Sequence, residues 1–255
     1  MTSPTTHPGR KSGIALGLSG SLCLLPFLVP LHQYPIKSFH AEWLAGALGL
    51  CAALAALPRS DARQPLSGEM LCLLLLAMVF LLQACFLDMV YLALPVAGML
   101  YVLFAALMVW LGQRLVIDHE DKAIHVLACF ILAGGLLNAA AGLIQYYGRP
   151  AWLEDLVAGL YHSRIYGNIG QTNLYANYLG LGLVALVFLW RSGATGRGGL
   201  LAAALLLNIA AALAGSRAWL LYVAWLAGLL LWWSAPADAA MRRNLRRAVL
   251  ALVTI

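Results

Sequence analysis

Eight unbroken apolar runs constrain this chain more than any other feature. They fall at 13–31, 41–57, 69–87, 91–112, 123–145, 174–190, 199–214 and 217–233, and a ninth begins near 248 and reaches Ile255. Runs near twenty residues suit helices crossing a hydrocarbon core of about 30 Å; barrel strands would instead alternate apolar and polar residues over about ten. A helix also satisfies its own backbone in lipid, where no water can. Composition agrees, with 63% hydrophobic and only 10% charged residues, against roughly 25% charged in soluble domains. The expected fold is all-α, a polytopic transmembrane helix bundle of eight complete spans plus the start of a ninth.

The basic residues orient the bundle. Arg10 and Lys11 precede the first run, which lacks a small-residue cleavage site and exceeds a signal-peptide core, so it reads as an anchor with a cytoplasmic tail at 1–12. Alternating from there, the cytoplasmic side receives Arg59, Arg63, Arg114, Lys122, Arg191, Arg197 and the cluster Arg242, Arg243, Arg246 and Arg247 as well. Only Lys37, Arg149, Arg164 and Arg217 of the 16 Lys and Arg residues fall on the far side. That bias follows the positive-inside rule, and one missed span would invert it. The net charge of +6 is thus spent on loop placement, and no nucleic-acid partner is expected. The loops Pro58–Gly68, Gln113–Lys122 and Arg191–Gly198 read as polar connectors without chemistry.

Cys23, Cys51, Cys72, Cys85 and Cys129 all lie inside apolar runs without C-x-x-C spacing, and the six histidines form no H-E-x-x-H pattern. No metal site and no cofactor is expected.

The connection from Tyr146 to Asn173 is the longest and the only one with internal pattern. Trp152, Leu153, Leu156, Val157, Leu160 and Tyr161 recur at helical spacing with Glu154 and Asp155 opposite, predicting a surface-lying helix over Ala151–His162. Next comes Arg164-Ile-Tyr-Gly-Asn-Ile-Gly-Gln-Thr-Asn-Leu174, in which Gly167 and Gly170 free the backbone to turn, while Asn168, Gln171 and Asn173 supply amides at the mouth of the sixth span. Such polarity at membrane depth is costly unless it lines a cavity or meets a polar ligand. The bland alternative is a satisfied loop with Asn173 capping a helix that starts at Leu174. Arg217, in Gly215-Ser-Arg-Ala-Trp219, is a second far-side cation in a turn too short to let it wander. It either snorkels to the interface or shares an anion site with Arg164, since guanidinium forks match phosphate oxygens. Asn138 and Asn208 read as helix-to-helix glue, and Tyr175, Asn177 and Tyr178 suit either helix contacts or the same cavity.

These residues carry a resemblance. The Arg164–Leu174 stretch is similar to the signature of bacterial protein O-oligosaccharyltransferases, the pilin-glycosylation ligases of the O-antigen ligase and polymerase superfamily, with Thr172 where that pattern has Pro. Ser216-Arg217 resembles the superfamily's Ser-Arg motif, and His32-x-x-Pro35 followed by Ser38-Phe39-x-x-Glu42-Trp43 resembles its first outer loop. The resemblance implies a glycosyltransferase of the bacterial inner membrane, with its N-terminus cytoplasmic. It would move a glycan from undecaprenyl-diphosphate to a periplasmic acceptor, either Ser or Thr of a pilin-like protein or the lipid A core. It further implies that Arg164 and Arg217 contact the diphosphate, with Asn168, Gln171 and Asn173 completing the substrate-binding set. The family's general base, a histidine in a large periplasmic loop, is expected beyond residue 255, so residues 13–255 read as a ligase domain cut before that loop and inactive alone. His162 does not match the base. Two other readings stay open: a transporter or lipid-binding membrane protein without catalysis, and an inactive remnant.

Overall fold

The computed structural model describes residues 10–32, 36–57, 66–88, 90–160 and 163–234. Among these residues every regular element is a helix, and the eight α-helices fall on the eight predicted runs. They are α1 (Arg10–Leu24), α2 (Phe39–Ala55), α3 (Gly68–Phe86), α4 (Ala93–His119), α5 (Asp121–Tyr147), α6 (Thr172–Arg191), α7 (Arg197–Ala214) and α8 (Ala218–Ser234). α3 through α7 are long and apolar enough to cross a membrane, and α1, α2 and α8 are shorter apolar helices. The chain is a multi-pass helical membrane protein. The start of the ninth span, the Arg242–Arg247 cluster, Pro35, His162 and most of the Pro58–Gly68 connector lie outside the described residues.

Local signals account for the helix ends. Ser67 caps α3 by accepting from the Met70 N–H at 3.3 Å, with Glu69 in the first turn to meet the helix dipole. Gly215 ends α7 in the left-handed conformation. The predicted connector Gln113–Lys122 is corrected: α4 runs on to His119, and only Glu120, at φ 51°, breaks it from α5. Arg114 and Asp118 pair at 3.3 Å one turn apart, and Ser12 Oγ donates to Asp118 at 2.9 Å and lies 2.8 Å from His119 Nε2. Side-chain partners therefore carry the helix through a polar stretch that reads as a loop.

The chain divides into two compact units, Met1–Ser19 with Gly46–Ile124, and Gly20–Ala45 with His125–Ile255. In the first, α3 packs on α4, with the Phe80 ring against Gly98 and the Phe104 ring against Gly49. α3 buries Ala77 but exposes Leu71, Leu75, Leu76, Met78, Val79 and Leu82, as a lipid-facing helix does.

In the second unit α6 is the central helix and packs on α7 and α8. Tyr175, Leu179, Leu183 and Leu186 of α6 and Ala204, Leu207 and Ala211 of α7 are buried together. Gly135 of α5 meets Gly182 of α6 closely enough for backbones to touch, the usual packing where lipid gives helices no hydrophobic reason to associate. A 3₁₀ turn, Leu25–Leu28, brings Phe27 onto Tyr178, ring centroids 4.1 Å apart, and the Tyr178 hydroxyl donates to the Cys23 carbonyl at 2.6 Å. Asn208 glues α7 to α8 by accepting from Trp219 Nε1 at 3.0 Å.

Candidate functional site

The Arg164–Leu174 loop lies wholly in the second unit and is built on α5. Gln145, 4% exposed, donates through Nε2 to the Ala158 and Gly167 carbonyls (2.9 and 2.7 Å) and accepts through Oε1 from the Tyr166 and Gly167 N–H groups (3.1 and 2.9 Å). Two turns back on the same face, Asn138 accepts from the Asn168 N–H at 3.1 Å and donates to the Phe27 and Gly134 carbonyls. Its own carbonyl receives the Tyr175 hydroxyl at 3.2 Å. Each buried polar backbone group met in this way avoids a cost of about 1–3 kcal/mol.

The segment before the loop departs from expectation. Only Ala151–Leu153 is helical, as one 3₁₀ turn, and the surface-lying helix over Ala151–His162 does not form within the described residues. Its carbonyls bond elsewhere: Arg149 Nη1 donates to Glu154 and Val157, Asn168 Nδ2 to Leu156, Gln145 Nε2 to Ala158, and the Tyr166 hydroxyl to Gly159. Tertiary partners outcompete a helix of no great propensity. Trp152 and Leu156 are exposed and Val157 is buried.

His32 ties the first predicted outer loop to the signature. Its Nδ1 lies 3.2 Å from the Lys37 carbonyl and its Nε2 3.1 Å from the Asn168 carbonyl. The ring fills the space a side chain on Gly170 would need, and Gly170 has φ +80°, so two independent constraints require glycine there.

The sequence-predicted site residues divide into two sets. Asn168 is 4% exposed; its Nδ2 donates to Leu28 and Leu156 and its Oδ1 accepts from the Ala158 N–H at 3.0 Å. It works here as a strut under the loop. Arg164, Gln171, Asn173 and Arg217 are exposed. The Arg164 side chain lies over Gly215, its Nε 3.3 Å from where a Cβ there would stand, which brings it to the turn that carries Arg217. Ser216 Oγ donates to Asn173 Oδ1 at 3.2 Å, a second link between loop and turn. Among the described residues neither guanidinium has a hydrogen-bond or ion-pair partner.

The capping alternative for Asn173 is corrected. α6 begins at Thr172, the N-cap position is Gln171 without a side-chain cap bond, and Asn173 sits inside the first turn, bonded to Ser216. No N-cap side chain bonds the first-turn N–H groups of α6. Thr172 holds the first helical position, where proline is preorganised and its missing N–H costs nothing, so the departure from the Pro pattern leaves the geometry intact. Sequence reasoning missed Gln145 altogether. Its signal was spacing: a second amide seven residues after Asn138 shares that helix face.

The class these features define is that of multi-pass α-helical membrane proteins, here with Arg164 brought to the turn that carries Arg217 and with Gln171 and Asn173 exposed at the start of α6. A family model described as protein glycosylation ligase matches residues 165–190, from within the signature through nearly all of α6, and supports the ligase family at a coarse level. No curated protein and no solved structure matches the chain.

Proposed function

We propose that this protein binds an undecaprenyl-diphosphate-linked glycan at the Arg164–Leu174 loop and the Ser216-Arg217 turn, as the donor side of an oligosaccharide transfer at the periplasmic face of the bacterial inner membrane. The observation that carries the reading is Arg164 over Gly215, which brings one cation to the turn that carries the other, with no acidic partner for either among the described residues. The match to protein glycosylation ligases supports it.

In the transfer, an acceptor hydroxyl oxygen attacks the sugar's anomeric carbon, the bond from that carbon to the phosphate oxygen breaks, and the lipid diphosphate leaves with added negative charge. Fixed cations and helix N–H groups in a partly dry site stabilise that charge as it grows. Arg164 and Arg217 take this role, with Gln171 and Asn173 as amide contacts and Asn168 holding the loop that presents them. The acceptor's proton goes to a general base that this site does not supply; the residues assigned here serve the donor. A pilin-like Ser or Thr is the proposed acceptor, ahead of the lipid A core, because the matched family is described by protein glycosylation.

The test is acceptor glycosylation in cells producing the protein from its native gene. Arg164→Ala and Arg217→Ala are each expected to reduce the glycosylated fraction at least tenfold at unchanged protein level. Full glycosylation in both would sink the proposal.

A further inference from the structure

Asn173 and Asn177 stand four residues apart on α6 and both are exposed, so their side chains leave one helix face about 6 Å apart along the axis. Each has its oxygen occupied by a hydroxyl. Asn173 Oδ1 accepts from Ser216 Oγ at 3.2 Å, and Asn177 Oδ1 accepts from the Tyr222 hydroxyl at 2.5 Å. Tyr222 is fixed in turn, its ring against Gly180 one turn further along α6. With the oxygens taken, each carboxamide presents its NH₂ outward, and among the described residues neither Nδ2 has a partner.

An interhelical bond alone does not explain this arrangement. Helix glue is complete once Tyr222 meets Asn177, yet it leaves an exposed amide donor about a turn into a spanning helix, where an unmet donor is costly. A ligand acceptor at that depth removes the cost. The repeat at Asn173, bonded to Ser216, places the same device at the turn that carries Arg217.

We infer that Asn177, with its carboxamide oriented by Tyr222, is a further binding residue, donating its NH₂ to the lipid-proximal phosphate of the diphosphate. The inference rests on the donor-site reading above. Direction follows from chemistry: α6 runs inward from the loop, the glycan projects outward and the polyprenyl chain inward, so the group one turn deeper than the arginines is the phosphate esterified to the lipid.

The experiment measures binding of glycan-free undecaprenyl diphosphate to the full chain in phosphatidylcholine nanodiscs, with Asn177→Leu, Asn177→Asp and Arg217→Ala compared by affinity and unfolding temperature. Asn177→Asp keeps an acceptor for Tyr222 but replaces the donor with a carboxylate. We expect about tenfold weaker binding in Asn177→Leu and a larger loss in Asn177→Asp, whose carboxylate repels the phosphate. Wild-type affinity in Asn177→Asp overturns the inference, since a carboxylate cannot donate to a phosphate. Should that variant not assemble, wild-type affinity in Asn177→Leu overturns it equally. Loss in Arg217→Ala beside unaffected Asn177 variants keeps the donor site and removes Asn177 from it; wild-type affinity in Arg217→Ala counts against the donor site itself.

Discussion

Gln145 spends both ends of one carboxamide on four backbone contacts of a single loop. Gln145→Leu keeps the volume and leaves the buried N–H groups of Tyr166 and Gly167 unmet, at about 1–3 kcal/mol each. The expected outcome is a lower unfolding temperature and a larger loss of donor binding than Asn208→Leu, which removes a single interhelical bond. At the residue scale the sequence was legible in kind and not in direction. It marked Asn168, Gln171 and Asn173 as out of place in an apolar chain, but an amide facing inward to backbone and one facing outward to a ligand look the same in a string of letters. The structure turns Asn168 in and leaves Gln171 and Asn173 out.

Elements follow the apolar runs closely because a run near twenty residues admits little besides a helix. The two departures lie in polar stretches. α4 absorbs the predicted connector because Arg114, Asp118 and Ser12 satisfy one another there, and the helix expected at Ala151–His162 gives way because Arg149, Gln145 and Asn168 claim its carbonyls. Periodicity registers neither kind of partner. The start of α6 allows a direct test. Gln171 is extended, at φ −143° and ψ 129°, the conformation a residue before proline prefers. Thr172→Pro is therefore expected to leave donor binding unchanged and to stabilise by about 0.4–1 kcal/mol through the unfolded chain, read as a raised unfolding temperature. A destabilised variant would show that the first turn of α6 is not the one described.

For the whole molecule, positive-inside counting leads us to propose that the loop and the Ser216-Arg217 turn face the periplasm. Single cysteines introduced into a cysteine-free background check this: Ser163→Cys is expected to react with a membrane-impermeant maleimide in intact cells, and Lys122→Cys only after the cells are opened. The reverse pattern would invert the topology. We propose that Arg164 and Arg217, 53 positions apart in the chain, act on one anion because α6, α7 and the loop bring Arg164 to Gly215. Titration of undecaprenyl diphosphate against the reconstituted protein with Arg164→Ala, Arg217→Ala and both together tests it most directly. A shared site gives a loss of about tenfold or more from each single change and a double variant little weaker than the worse single one, because residues sharing a ligand couple. Affinities unchanged in all three variants, or two losses that simply multiply, would contradict a shared site.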